Sequence, residues 1–212
     1  MEKFLPLFPL NLVVYPEENL NLHIFEPRYR QLIREVWENQ STFGIPSFIE
    51  GKMNEYGTEI KITEIAKIYS DGRMDIRTQG IDIFRLLSFN NPVAGKLYAG
   101  GLVYMTENQE YSPYEPIKRE LMAYLKELYQ ILKAQIDIDK LPEKNLSYHI
   151  AHKIGLSIQQ EYELLTIESE EQRQVFLTEH LKKSLPVVKE IERTKQLIQM
   201  NGHFKHLQSP DF

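Results

Sequence analysis

The feature that most limits what this chain can fold into is a change of apolar period part-way along it. Up to about residue 106, apolar residues recur mostly at every second position, in short runs broken by Gly and Asn. A polar stretch with two prolines follows, Glu107–Pro116 (ENQEYSPYEP), and beyond it the spacing becomes 3.6 and stays there. A period of two suits strands and one of 3.6 suits helices, so the chain reads as α+β, with a β-rich part first and a helical bundle after it. The expected division is 1–110 β-rich, 111–203 helical, and 204–212 a loose tail.

Within the first part, Lys61 to Tyr69 and Met74 to Thr78 flank Ser70-Asp71-Gly72-Arg73, whose Asp-Gly pair supplies the positive φ of a tight hairpin. Ile81 to Phe89 carries apolar residues on both alternating faces and is expected to be a central strand. Gly100-Gly101, inside the alternating run Leu97 to Thr106, suggests a bulge or sharp bend. One helix interrupts the strands: Tyr29, Leu32, Ile33, Val36 and Trp37 fall at i, i+3, i+4, i+7 and i+8. Pro27 suits the first helical position and Glu26 places negative charge at the positive helix end. Arg28, Arg30 and Arg34 lie off this stripe and are expected to pair with Glu26, Glu35 or Glu38, or to face water.

In the second part, Ile117, Leu121, Tyr124, Leu125, Leu128 and Leu132 form one helical stripe. A further helix is expected from near Glu143 to Ile154, stopped by Gly155. Ser157-Ile158-Gln159-Gln160 and Ser169-Glu170-Glu171-Gln172 have capping-box spacing and each open another helix, and a last helix is expected after Pro186.

The net charge is −5, with 11 basic against 15 acidic residues before residue 110 and 14 against 15 after it, so neither half offers a basic surface for nucleic acid. The absence of cysteine excludes disulfides, thiolate metal sites and cysteine nucleophiles, and a cytoplasmic location is the expectation. Pro6, Pro9 and Asn11 break the apolar start and argue against a signal peptide, and no long uncharged apolar run suggests a membrane span. His149-x-x-His152 and His203-x-x-His206 each put two imidazoles on one helical face, but no third ligand stands at useful spacing, so no metal is expected. There is no GxxxxGK[ST] phosphate loop, no GxGxxG and no GxSxG elbow, and Ser47, Ser88 and Ser147 have no neighbouring base pattern. No catalytic residue and no cofactor is expected. Apolar residues between the first helix and the hairpin, namely Phe43, Ile45, Phe48, Ile49, Met53 and Tyr56, form a strand with a buried side or, where exposed, a surface for apolar segments of other chains.

Leu5-Pro6-Leu7-Phe8-Pro9-Leu10, Val13-Val14-Tyr15-Pro16 and Leu22-His23-Ile24-Phe25-Glu26-Pro27-Arg28-Tyr29-Arg30 strongly resemble the start of the N-terminal substrate-binding domain of the Lon protease family, especially its stand-alone members. Tyr56-Gly57-Thr58-Glu59-Ile60, Asp71-Gly72-Arg73 and Gly80-Ile81-Asp82-Ile83-Phe84-Arg85 resemble later signposts of that family, and the resemblance extends to about residue 200. It implies a β-rich, PUA-like pseudo-barrel with one packed helix, followed by a helical bundle. It also implies binding of peptide or unfolded protein segments, in a chain without the ATPase and Ser-Lys peptidase modules of full Lon proteases, hence a peptidase-family relationship without peptidase activity. Two departures stand out: Glu17-Glu18-Asn19 follows Tyr15-Pro16 where the family often has glycine, and Ile83 precedes Phe84-Arg85 where Arg or Lys is common.

The reading favoured by these residues is a non-catalytic protein-binding domain, with Phe48, Met53 and Tyr56 as candidate peptide contacts and a protease or chaperone as a conceivable associate. Alternatives are an RNA-binding PUA-like domain, disfavoured by the acidic charge, an adaptor for one specific protein, and an enzyme using an unrecognised carboxylate site.

Overall fold

The computed structural model describes residues 1–106, 114–134 and 137–203. The expected tail 204–212 and most of the polar stretch 107–116 lie outside these residues. The elements are β1 Glu2–Leu7, β2 Asn19–Ile24, α1 Pro27–Glu38, β3 Thr42–Ile49, β4 Lys52–Ile68, β5 Met74–Leu86, β6 Ala99–Met105, α2 Glu115–Leu132, α3 Leu146–Ala151, α4 Ile158–Thr166 and α5 Glu170–His203. They form two compact units, one of Met1–Glu110 with Gly155–Ser169 and one of Tyr111–Ile154 with Glu170–Phe212. A single cut at residue 110 therefore does not separate them. α4, assigned to the bundle from its period, belongs with the strands: the Tyr15 hydroxyl donates to the Glu161 carbonyl at 3.0 Å, and the Tyr56 N–H donates to the Tyr162 hydroxyl at 3.2 Å.

The strands of the first unit run in the order β2-β5-β4-β3-β1-β6, and β6 pairs again with β5, so five strands close into a ring and β2 stays outside it. A ring this small leaves its interior only side chains to fill it. Phe84 is fully buried there with Leu5, Leu7, Ala99 and Val103. Two glycines make the room: a Cβ on Gly44 would lie 2.7 Å from Leu7 Cδ2 and 2.8 Å from Phe84 Cε1, and one on Gly57 would lie 2.7 Å from Phe84 Cζ and against the Ile45 carbonyl. Gly100 and Gly101 also stand where a close neighbour excludes a side chain, though not Phe84. β6 keeps an unbroken register with β1 from Glu2↔Tyr104 to Leu7↔Ala99, so no bulge interrupts that pairing; the irregularity is across from β6, where the N–H groups of Leu87 and Ser88 both donate to the Leu102 carbonyl. Instead a Cβ on Gly100 would meet Phe4, and one on Gly101 would meet the Ser88 carbonyl. β5 is central as expected, pairing with β2, β4 and β6, but it ends at Leu86, leaving Leu87 and Phe89 exposed.

α1 covers a second apolar cluster that includes Phe8, Phe43, Ile45, Ile60, Met74 and Ile76. Pro27 opens it behind an extended Glu26, as its ring requires. Tyr29, Leu32, Ile33 and Val36 are buried, and Tyr29 stacks on Phe8 with ring centroids 3.7 Å apart. Trp37, expected on the same stripe, is 45 % exposed, because α1 ends one residue later and Trp37 instead lines an open groove of about 650 Å³ with Thr42 and Lys61. Arg28 pairs with Glu26 at 2.9 Å. Arg30 does neither of the things expected of it: it donates to the Asp71 carbonyl at 2.6 Å, bracing the hairpin turn whose Gly72 has φ +83°. Glu35 ties α1 to the β5–β6 loop, accepting from Lys96 Nζ at 2.7 Å and from the Tyr98 hydroxyl at 2.5 Å. These two hydrogen bonds hold the Glu35 carboxyl below its ordinary range, while burial and the facing carboxylate push the Tyr98 hydroxyl up. Glu17 takes φ +67°, so the turn after Pro16 keeps a left-handed residue without glycine.

In the second unit α2 packs on α5, burying Leu121, Leu125 and Leu128 of the expected stripe together with Tyr129. α3 is shorter than the 143–154 expected, since Asn145 sits in a left-handed conformation that marks its start. α5 continues through Pro186, where the sequence suggested a break. Ion pairs from α5 to α2 on both sides of the proline, Lys182–Glu120 at 3.1 Å and Lys189–Glu127 at 2.5 Å, hold both halves against the same neighbour. At its first turn the buried pair Arg173–Glu170, at 2.9 Å, is completed by Ser147, whose N–H and hydroxyl both donate to Glu170, and by Gln174. Such a pair is tolerated in the interior because its lone pairs and protons are met.

Two outcomes follow. Gly57→Ala should lower unfolding free energy in urea by about 2 kcal/mol or more, since backbone as well as Phe84 would have to shift. The Glu35 latch contributes above the ordinary carboxylate pKa and is lost as pH falls through the lowered folded value. The stability deficit of Glu35→Gln relative to wild type should therefore narrow below about pH 4.5 in acid titrations of thermal unfolding.

Candidate interaction surface

The residues expected to touch peptide lie along β3 and β4. Glu50 and Gly51, with φ +52° and +77°, make the turn between them, as a two-residue hairpin loop requires. Phe48 and Met53 are then direct cross-strand partners. The register shifts between Pro46 and Phe48, two residues on β3 matching four on β4, and Asn54 Nδ2 donates to the Ser47 carbonyl at 3.2 Å across the irregularity. Phe43, Ile45 and Ile49 of β3 are buried, whereas Phe48 is 38 % exposed and Met53 half-buried. Pairing does not bring Tyr56 to them: Tyr56, Arg85, Tyr104 and Glu2 are successive partners across β4, β5, β6 and β1, and so form one row on one face. Phe4 and Leu102 stand two residues further along that face, and Phe4 and Tyr104 are exposed. Arg85 pairs at 3.0 Å with the exposed Glu55.

Groups with chemical potential elsewhere are tied into structure. Ser147 is held by Glu170 and accepts from Arg173 Nε at 3.0 Å, and the Ser88 hydroxyl accepts from the Leu102 N–H. His23 Nδ1 lies 2.5 Å from Asp75, which also accepts from the Tyr69 hydroxyl at 2.7 Å; His23 first and Tyr69 second hold the Asp75 carboxyl below its usual range. Among the described residues no three His, Asp or Glu side chains are grouped as a metal site. The His203 side chain and His206 are outside the description. Among the described residues no helix is long and apolar enough to cross a membrane.

The family model of the ATP-dependent protease La (LON) substrate-binding domain matches residues 4–183. The chain belongs to the Lon substrate-binding domain family. Its fold is similar to the crystal structure of a Lon N-terminal domain protein from Xanthomonas campestris, with 25 % identity, 82 % of this chain and 96 % of that one covered, and a TM-score of 0.66. It is similar also to the N-terminal domain of the Mycobacterium avium complex Lon protease, at 17 % identity over 85 % of this chain and 98 % of that one, with a TM-score of 0.64. The α+β class is thus that of Lon N-terminal domains. Of the two departures from the family pattern, Ile83 has its own setting: it is buried opposite Thr58, where a charged side chain would lose its water.

Sequence reasoning missed Tyr162, whose hydroxyl accepts the Tyr56 N–H across 106 residues, and no local signal marks it. It missed the Tyr56–Arg85–Tyr104 row as well, because cross-strand register decides it. Tyr162→Phe should leave the Tyr56 amide without its partner, raising its hydrogen-exchange rate about tenfold relative to neighbouring β4 amides.

Proposed function

We propose that this Lon substrate-binding domain acts without catalysis, binding unfolded or peptide segments of other proteins through the end of the β3–β4 hairpin. The observation that carries this reading is the Phe48–Met53 pair, an aromatic and a thioether set opposite each other and left accessible on a strand whose other large apolar residues are in the core. Methionine and aromatic side chains adapt to varied apolar partners, which suits a site that takes many sequences. An RNA-binding reading has less support: Arg28 and Arg30 are engaged with Glu26 and the Asp71 carbonyl, and the chain is acidic.

The test is binding of a reduced, carboxymethylated polypeptide, which stays unfolded, against the same polypeptide in its native form. Selective binding of the unfolded form is expected, without ATP hydrolysis or casein cleavage. Phe48→Ser with Met53→Ser should weaken it by about tenfold while the thermal midpoint stays within a few degrees. Equal affinity for both forms, indifference to the double substitution, or turnover of casein would reject the reading.

A further inference from the structure

β2 is the one strand outside the closed ring, and among the described residues β5 is its only strand partner. Its hydrogen-bonding phase can be fixed. The Gly80 N–H donates to the Glu18 carbonyl at 2.9 Å, and the register continues without a shift from Asn19↔Gln79 to Ile24↔Met74. Bonded and non-bonded pairs alternate in an antiparallel ladder. The backbone groups of Leu20, Leu22 and Ile24 therefore face β5, and those of Asn19, Asn21 and His23 face away from it. Among the described residues, no backbone hydrogen bond from a loop reaches these three.

Exposed strand edges are ordinarily blunted by charge, proline or bulges. Another open edge of this sheet is blunted in that way: beyond Lys61, where β3 ends its pairing, β4 shifts register at Ile62/Glu64 and again at Ile65/Lys67. Glu17 and Glu18 bulge opposite Gly80 just before β2, but the run Asn19-Leu20-Asn21-Leu22-His23-Ile24 itself contains no proline, lysine, arginine or carboxylate and no register shift. Its two faces also differ. Leu20 and Leu22 are half-buried at the margin of the α1 cluster, while Asn19, Asn21 and His23 are exposed.

We infer that the free edge of β2 takes up an extended segment of a client polypeptide as an added strand, with alternate client residues apolar beside Leu20 and Leu22 and polar beside Asn21 and His23. This rests on the peptide-binding reading and adds to its β3–β4 hairpin contact a second one, along β2. Main-chain pairing supplies affinity that is independent of sequence, and the leucine margin supplies a preference for alternating apolar residues. A second copy of this chain is the less fitting occupant, because an edge of six residues buries far less than the roughly 1,000 Å² expected of a stable dimer.

The test uses the full chain and a fluorescein-labelled peptide of about ten residues, alternating valine and threonine between terminal lysines, with two further versions methylated on all valine or all threonine backbone amides. In an added strand one alternate set of amides faces β2 and the other faces water. One methylated version should lose about tenfold or more in affinity while the other stays within about threefold of the parent. Asn21→Pro should also abolish binding, and its fold should survive because the lost N–H points away from β5. Equal effects of both methylations would overturn the inference, as would binding of the carboxymethylated polypeptide without any binding of the peptide; in each case the peptide-binding reading would stand. A dimer in sedimentation equilibrium that Asn21→Pro dissolves would assign the edge to a second copy and overturn it too. Failure to bind either the peptide or the unfolded polypeptide would reject both.

Discussion

The first unit depends on one steric agreement: the Phe84 ring fits inside a small strand ring because Gly44 and Gly57 present no side chain to it. Interiors are packed closely enough that a single added methyl group is felt. With Phe84 seated between β3 and β4, its strand can pair with β4 on one edge and with both β2 and β6 on the other. That double use of β5 closes the sheet and also leaves β2 outside it. The same packing that gives the molecule its core thus decides which strand keeps an unpaired edge.

Around this centre, polar side chains fix segments that packing alone would leave loose. Arg30 braces the hairpin turn from α1, Glu35 ties the β5–β6 loop to the same helix, and Tyr15 and Tyr162 join α4 to the strands. In the second unit the Glu170–Arg173–Ser147 cluster joins α3 to the start of α5. The residues of the Glu26-Pro27-Arg28-Tyr29-Arg30 and Asp71-Gly72-Arg73 motifs, far apart in sequence, are partners in one contact. This gives a physical reason for both to occur in one chain.

What could be read from the sequence was what local chemistry dictates. The Asp71-Gly72 hairpin, the start of α1 at Pro27 and the Ser157–Gln160 capping box all depend on residues within a few positions of each other, and all are present. The features that escaped depend on distant partners. Gly100 and Gly101 look like a bulge until Phe4 and the Ser88 carbonyl are seen against them. Pro186 looks like a stop until α2 is seen to hold α5 on both sides of it. Trp37 fits the helical stripe by spacing and lies in the last turn of α1, yet it borders the groove with Thr42 and Lys61 instead of the core. For the interaction surface, the sequence offered Phe48, Met53 and Tyr56 as one group, and pairing separates Tyr56 into a different row.

The return of residues 155–169 to the first unit has a consequence for how the protein is made. All six strands have been synthesised by residue 105, yet the helix that accepts from Tyr15 and Tyr56 comes after α2 and α3. At ordinary translation rates the nascent sheet waits a few seconds for that helix, with its β3–β4 side uncovered. Neither unit is therefore finished before the other has been started, and a fragment stopped at residue 110 would hold the sheet in that uncovered state permanently.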